Sequence, residues 1–306
     1  MMKTTLAFAL LLPYAASALA LDVRFEQVAA NVYAYIGDTG ARTVDNQGLN
    51  ANLGLVVTPA GSVLIDSGPT WQSAQQIHAA VRRVTTQPLR WVINTGGQDH
   101  RWLGNGYFRF QGAEVIAHAD ALPDMRAGGG DQITALRVLL GDAAAGTEPV
   151  QPARLIEGAD SRLEFGGTVF ELRHRGGGHT PGDMMVWLPQ SNVLFTGDIV
   201  YVDRMLAVIP VSSTRHWLQT FAVIDRLAPT QIVPGHGRVT NLATARAETR
   251  DYLAALRGQM KLAVDRGTDP STAARGFDGT LWKQLRNADE LMLGNANRVY
   301  LEVERE

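Results

Sequence analysis

The sequence predicts an α/β fold of four layers, in which two mixed sheets pack face to face between outer helices (an αββα sandwich). Two observations lead to this prediction. Short β-branched runs open the chain after residue 30 and pass into a strand–helix alternation, and the same succession returns after residue 160. Alternation of this kind is typical of sheets whose outer faces are covered by helices. With 306 residues, 45% of them hydrophobic, the chain has enough apolar material for a sizeable core.

The first half of the chain begins with three short strands, which an amphipathic helix follows. Apolar residues recur at helical spacing between Trp71 and Val84, so a helix is predicted there. The predicted strands cover residues 32–36, 51–57, 62–65, 90–94 and 114–117. Residues 119–152 are predicted to be an irregular insert around Gly128-Gly129-Gly130, with one helix over residues 132–140.

The second half repeats this order with strands that lead into helices. Its predicted strands cover residues 162–165, 168–173, 184–188, 193–196 and 231–233, and its predicted helices cover residues 216–227 and 243–264. The sequence has no fixed-period repeat and no low-complexity linker. We therefore expect one domain over residues 21–306, with the insert at about 119–152 and a C-terminal helical segment.

The first twenty residues resemble an export signal. Lys3 provides a positive start, an apolar run covers residues 6–12, and Ala18-Leu19-Ala20 offers the small residues that a signal peptidase recognises. An uncleaved membrane anchor is the alternative, but the apolar run is shorter than the about 20 residues that span a bilayer. The sequence predicts a cleavable signal peptide over residues 1–20, a periplasmic location, and no membrane span in the mature chain.

The composition limits the partners and the metal ligands that the chain can have. Its formal net charge is -2 at pH 7, and it has no excess of basic residues, so we do not expect a nucleic-acid partner. The chain has no cysteine, which excludes disulfides and thiolate ligands. Any metal must therefore be held by histidine, carboxylate or neutral oxygen donors.

Histidine and aspartate residues gather in glycine-containing loops next to predicted strands. The four places are Asp99-His100, His179, Asp198 and His236. Loops at strand ends can direct such side chains into one shared cleft. Imidazole and carboxylate are ligands that zinc accepts when no thiolate is present, so the pattern predicts a zinc site.

In order and spacing, these segments resemble the metallo-β-lactamase superfamily of zinc hydrolases, over roughly residues 30 to 265. The resemblance implies an αββα sandwich of that type. It also implies that Asp66 is a structural aspartate behind the metal loop, that His179 and His236 are metal ligands, and that Asp198 is the bridging carboxylate.

A narrower resemblance involves three segments of the second half. Gly197-Asp198-Ile199-Val200 with Arg204, Trp217-Leu218, and residues 233–237 are similar to the periplasmic, SoxH-like zinc metallohydrolases associated with quinoprotein systems. This similarity implies a periplasmic quinoprotein as a possible partner.

The first metal loop departs from the family pattern, which has H-x-H-x-D-H after Asn-Thr. Here Asn94-Thr95 is followed by Gly96-Gly97-Gln98-Asp99-His100-Arg101, without the two early histidines. A register shifted by one residue keeps Asp99-His100 as the Asp-His pair. The gapless register, which Gly104-Asn105 favours, gives His100 the aspartate's place and Arg101 the histidine's. The shifted register is preferred because it preserves ligand chemistry.

These residues predict a secreted hydrolase with one zinc ion at Asp99, His100 and His236. Asp198 and His179 would support the ion and orient or deprotonate a bound water. The expected substrate is a small molecule with an ester, thioester or amide-type bond. Arg204 is a candidate for binding an anionic substrate group, and a surface salt bridge is the alternative for it.

A second hypothesis is a metal-poor binding or accessory protein of a periplasmic quinoprotein system. A β-lactamase activity does not follow from the fold alone.

Overall fold

The computed structural model describes residues 21–306, so the predicted signal peptide lies outside the described residues. Within that range seven strands form the first sheet and are neighbours in chain order. They are β1 (Glu26–Ala29), β2 (Val32–Tyr35), β3 (Leu53–Thr58), β4 (Gly61–Ile65), β5 (Leu89–Ile93), β6 (Glu114–His118) and β7 (Arg154–Ile156). The pairings from β1 to β4 are antiparallel, and those from β4 to β7 are parallel.

The second sheet contains five strands in the order β12-β11-β10-β9-β8. They are β8 (Asp160–Phe165), β9 (Thr168–His174), β10 (Met184–Leu188), β11 (Val193–Phe195) and β12 (Gln231–Val233). The pairings from β8 to β11 are antiparallel, whereas β12 lies parallel to β11. The carboxyl ends of β11 and β12 therefore meet at the same edge of the sheet.

Nine α-helices connect and cover the sheets in residues 21–306. They are α1 (Trp71–Val84), α2 (Asp99–Trp102), α3 (Asn105–Phe110), α4 (Leu122–Leu140), α5 (Thr214–Leu227), α6 (Leu242–Ala245), α7 (Asp251–Asp265), α8 (Pro270–Arg275) and α9 (Ala288–Glu304). A π-helical turn over Arg246–Arg250 joins α6 to α7. In the described range no helix has both the length and the apolar character that crossing a membrane requires.

The apolar cores lie in three layers. Between the sheets, Ile65 and Ile116 of the first sheet pack with Phe170 and Val186 of the second. Residues of α1 and α3 cover the outer face of the first sheet, and residues of α5, α7 and α9 cover the outer face of the second. The predicted four-layer α/β arrangement is confirmed.

The insert differs from its prediction. Helix α4 begins at Leu122 and continues through Gly128-Gly129-Gly130, so the prediction of irregular structure before residue 132 was wrong. Three consecutive glycines lower helix propensity, which is the reason the sequence pattern missed this part of the helix. The helix packs tightly against its neighbours at this point. A Cβ on Gly129 would lie only 2.9 Å from Pro149 and 3.1 Å from Trp102. The close approach of these neighbours needs a glycine.

Candidate metal centre

Three buried side chains converge where strands of both sheets end. His100 lies on α2, which follows β5, Asp198 follows β11, and His236 follows β12. Their exposed fractions are 4%, 2% and 3%, respectively. A Cβ on Gly235 would lie 2.7 Å from the Asp198 carboxylate, so glycine next to His236 lets the backbone approach that group closely.

The donor atoms of these three residues have the spacing of ligands to one ion. His100 Nε2 lies 3.1 Å from Asp198 Oδ2, and His236 Nε2 lies 3.4 Å from Asp198 Oδ1. One donor atom from each residue falls within 4.8 Å of the others. Zinc–nitrogen and zinc–oxygen bonds are about 2.0 Å long, so two ligand atoms of one tetrahedral zinc ion lie about 3.3 Å apart. The residues present therefore fit one divalent ion bound by two imidazoles and one carboxylate.

The outer nitrogens of both imidazoles have acceptors that orient the rings. His236 Nδ1 lies 3.0 Å from the carbonyl oxygen of Asn50, and His100 Nδ1 lies 3.2 Å from Asp99 Oδ1. Such outer acceptors fix the tautomer and direct Nε2 towards a metal. Burial lowers the pKa of His236 to about 3, so its ring is neutral at pH 7, which is the form that binds metal.

Asp99 contacts this group from outside. Its Oδ1 accepts a hydrogen bond from the backbone N–H of His100 at 2.8 Å, and its Oδ2 forms an ion pair with Arg42. Burial opposes ionisation, but the hydrogen bond from His100 and the charge of Arg42 hold the pKa of Asp99 well below its usual range. In the structure the three-donor group consists of His100, Asp198 and His236, and Asp99 contacts it through His100 and Arg42.

Arg101 fills the space next to Asp198. It is fully buried, and its guanidinium donates to Asp66 Oδ2 at 2.9 Å and to Asp198 Oδ1 at 2.6 Å. Burial would raise the pKa of Asp198, but the charges of Arg101 and His100 hold it well below the usual range. Arg101 is thus the counter-ion that Asp66 and Asp198 share.

Asp66 lies behind the loop that follows β5. Its carboxylate accepts hydrogen bonds from the backbone N–H of Thr95 at 2.7 Å and from the Thr95 hydroxyl at 2.8 Å, in addition to the ion pair with Arg101. These contacts anchor the loop and the buried arginine.

His179 lies outside the three-donor group. Its Nδ1 is 2.9 Å from the carbonyl oxygen of Ala207, and its Nε2 is 2.8 Å from the amide oxygen Oε1 of Gln98. Burial lowers the pKa of His179 to about 4, so the ring is neutral at pH 7 and has a single N–H. Gln98 therefore lies directly beside His179, between this ring and the neighbouring cavity.

Three further residues of the site were not singled out from the sequence. The ring of Tyr201 stacks on His236 with centroids 4.8 Å apart, Arg42 pairs with Asp99, and Asp183 accepts from Thr180. Burial, together with the charge of Asp198, raises the pKa of Asp183 to about 7. Of these three, only Tyr201 could have been identified from the sequence, because it closely follows the Gly197-Asp198 motif. Arg42 reaches Asp99 across 57 positions of the chain, which no local pattern reveals.

Arg204 lies close enough for its charge to contribute to the lowered pKa of His236. It donates one hydrogen bond, at 3.2 Å, to the carbonyl oxygen of Gly40. Its Nε is buried without a partner among residues 21–306. The alternative of a surface salt bridge has no support in the ion pairs of the described residues.

A cavity of about 340 Å³ borders the metal loop. Gln98, Thr180 and Ile209 line it on one side, and Asp124 and Gly128 of α4 line it on the other. The insert therefore forms one wall of the space next to the Gln98–His179 pair.

A second set of possible donors, His118, Asp120 and His174, lies elsewhere in the described chain. Its two rings stack with centroids 3.7 Å apart and planes 19° apart. One ion cannot lie in the planes of two rings stacked in this way. One nitrogen of each ring instead bonds to a backbone carbonyl, that of Gly158 for His118 and that of Asp183 for His174.

Comparison with known proteins identifies the relatives of this chain. The family model described as "Metallo-beta-lactamase superfamily" matches residues 46–236, more than half of the chain. A metallo-beta-lactamase type 2 of Bacillus sp. (strain 170) is 25% identical over 223 residues, which cover 71% of this chain and 77% of the relative.

Solved structures share the fold at lower identity. A metallo-beta-lactamase from Pontibacter korlensis superposes with a TM-score of 0.61 at 19% identity and covers 76% of this chain and 99% of its own. A stereoselective inverting sec-alkylsulfatase from Pseudomonas sp. superposes with a TM-score of 0.72 at 18% identity and covers 91% of this chain and 50% of its own.

Proposed function

The chain belongs to the metallo-beta-lactamase superfamily, and from this premise we propose that it is a hydrolase with one zinc ion at His100, Asp198 and His236. The proposed reaction is hydrolysis of an ester, thioester or amide-type bond in a small molecule. The observation that carries the proposal is the convergence of two imidazoles and one carboxylate at distances of 3.1 and 3.4 Å, each imidazole with an outer acceptor.

The residues of the site have separate roles in this proposal. When bound, zinc supplies Lewis-acid polarisation and a coordinated water of lowered pKa. Asp198 suits the binding of positive charge better than the acceptance of a proton, because Arg101 and His100 keep it ionised. His179 is neutral and lies beside Gln98, which lines the cavity, so we assign the role of proton acceptor to His179 rather than to Asp198.

We further assign Arg204 to an anionic group of the substrate. Its buried Nε lacks a partner in the described chain, and an unsatisfied buried donor is costly unless a ligand pairs with it. From the sequence of residues 1–20 we also propose export to the periplasm.

The first test is the metal content of protein exported to the periplasm and purified without chelators. We expect about one zinc ion per chain in the wild type and in the control variant His216→Ala, and essentially none in His236→Ala. Removal of one of only three protein ligands explains the loss. Hydrolysis of small esters, thioesters or amides should disappear after chelation and return with zinc. A folded wild type without bound metal, or a His236→Ala variant that retains the ion, contradicts the proposal.

The second candidate is a binding role beside a periplasmic quinoprotein. It is favoured by the hydrogen bond between Gln98 and His179 and by the ion pairs of Arg101, which satisfy these polar groups without a metal. Binding of a quinone or a quinoprotein that persists unchanged after chelation would support this role. Loss of that binding on chelation would exclude it.

A further inference from the structure

The polar side chains that line the cavity beside the metal loop differ in whether they have a hydrogen-bond partner. Four of the residues that line it have hydrogen-bonding side chains: Gln98, Asp124, Gln132 and Thr180. Gln98 pairs with His179, Gln132 accepts from Trp102 and donates to Gly97, and the Thr180 hydroxyl donates to Asp183. Asp124 alone keeps an oxygen, Oδ2, that is buried without a partner within residues 21–306.

We propose that Asp124 selects a substrate with a protonated amino group. This inference rests on the proposed function, because it names the substrate class of the same site. Asp124 lies in the first turn of α4. Its Cβ is 3.4 Å from the position that a Cβ on Gly97 would take, so Asp124 is adjacent to the segment that contains Gln98. A group bound by Asp124 thus lies close to the metal loop.

The environment of Asp124 favours a cation over a neutral ligand. Burial raises the pKa of Asp124. The neighbouring walls are apolar, with Ala127, Ile209 and Val211 in the same cavity. A hydrogen bond between an ammonium group and the Asp124 carboxylate is charge-assisted, and it is therefore stronger than a bond to a neutral donor.

Substrate recognition explains Asp124 better than support of the helix does. An acidic residue in the first turn stabilises a helix through its dipole, and its carboxylate commonly accepts from the free N–H groups there. Asp124 Oδ2 accepts no such bond in the described chain. Arg204 does not line this cavity, so the two charges contact different parts of a substrate.

The experiment compares Asp124→Asn with Asp131→Asn, which makes the same charge change at an exposed position of α4. Binding of n-butylammonium is measured by NMR titration of the full chain, a readout that needs neither bound metal nor turnover. We expect Asp124→Asn to weaken binding about ten- to hundredfold, since a hydrogen bond to a charged group is lost, and Asp131→Asn to leave it unchanged. Unfolding in urea should show Asp124→Asn to be at least as stable as the wild type.

Three results would overturn the inference. They are equal n-butylammonium affinity in both variants, no binding to the wild type at millimolar concentration, and a marked loss of stability in Asp124→Asn, which would assign the residue to the helix. If hydrolysis is detected, kcat/KM for an amino-acyl ester should fall by the same factor in Asp124→Asn, with that for its neutral analogue unchanged. Absence of hydrolysis with intact n-butylammonium binding contradicts the proposed reaction and leaves the Asp124 assignment supported.

Discussion

At the scale of single residues, the centre is held together by buried charges. Arg101 lies between Asp66 and Asp198 with an exposed fraction of only 1%, and a second ion pair joins Arg42 to Asp99. Each carboxylate depends on its arginine, because an isolated charge in the interior is costly. These pairs fix the position of the Asp198 carboxylate that His100 and His236 face.

Replacement of Arg101 should therefore destabilise the protein severely. Arg101→Met leaves Asp66 and Asp198 buried without their counter-ion, and we expect a loss of about 3–5 kcal/mol in the free energy of unfolding. Urea denaturation measures this loss. Arg162→Met is the control, because the Arg162–Glu164 pair is exposed and should contribute less than about 1 kcal/mol. Equal stability of the two variants would show that Arg101 is not needed to neutralise the interior.

Asp99 allows a test of ligand orientation. Asp99→Asn weakens the contact that directs His100 Nε2 towards Asp198, so zinc affinity should fall about 10–100-fold while saturating zinc still fills the site. Competition with a chromophoric chelator gives the affinity. Asp45→Asn, an exposed change in the same loop as Arg42, should behave like the wild type. Complete loss of zinc at saturation would instead identify Asp99 as a direct ligand.

The residues of the site were predictable where a local motif carries them. His100, Asp198 and His236 each lie in a glycine-containing loop beside a strand, and all three meet in the structure. The role of Asp99 was not predictable, because two adjacent residues on the short helix α2 point to different partners. In the structure Asp99 pairs with Arg42, which is distant in sequence, and His100 faces Asp198.

At the scale of elements, periodicity predicted most strands and helices closely. Helix α1 has the predicted bounds, since its apolar stripe and the reciprocal capping of Thr70 and Ser73 agree. Strands β1 and β7 were not predicted. The first part of helix α4 was missed as well, because its three glycines cancel the local helical signal. At Gly129 the helix packs closely against Trp102 and Pro149, which are distant in sequence from one another.

The effects of tertiary packing and of intrinsic helix propensity can be compared at two neighbouring glycines of α4. Gly130 has no atom within 4 Å of an added Cβ, so Gly130→Ala should stabilise the protein by about 0.5–1 kcal/mol. Gly129→Ala places a Cβ 2.9 Å from Pro149 and should destabilise it by about 1–3 kcal/mol. Thermal unfolding of the two variants provides the comparison. If Gly129→Ala also stabilises, the packing explanation for this part of the helix is wrong.

At the scale of the whole molecule, the alternation of elements was enough to predict two sheets between helices, but not the balance of buried titratable groups. His179 and His236 have pKa values lowered to about 4 and about 3, from 6.5. Asp183 has a pKa raised from 3.8 to about 7. These groups share one interior, so the pH dependence of stability is a property of the assembled fold.

The metal-free protein should lose stability as the pH falls from about 6.5 to about 4. In that range unfolding lets His179 and His236 each take up a proton, whereas Asp183 releases one. Asp66 and Asp124, whose pKa values burial also raises, oppose the imidazoles in the same direction as Asp183. The net uptake is therefore at most about one proton, so the free energy of unfolding should decrease by at most about 1.4 kcal/mol per pH unit. Urea denaturation of chelated protein across this range measures the slope. Asp183→Asn removes one opposing group, and the decrease should become at least about twice as steep. Stability that stays level or rises on acidification would mean that the two imidazoles are not held neutral in the fold.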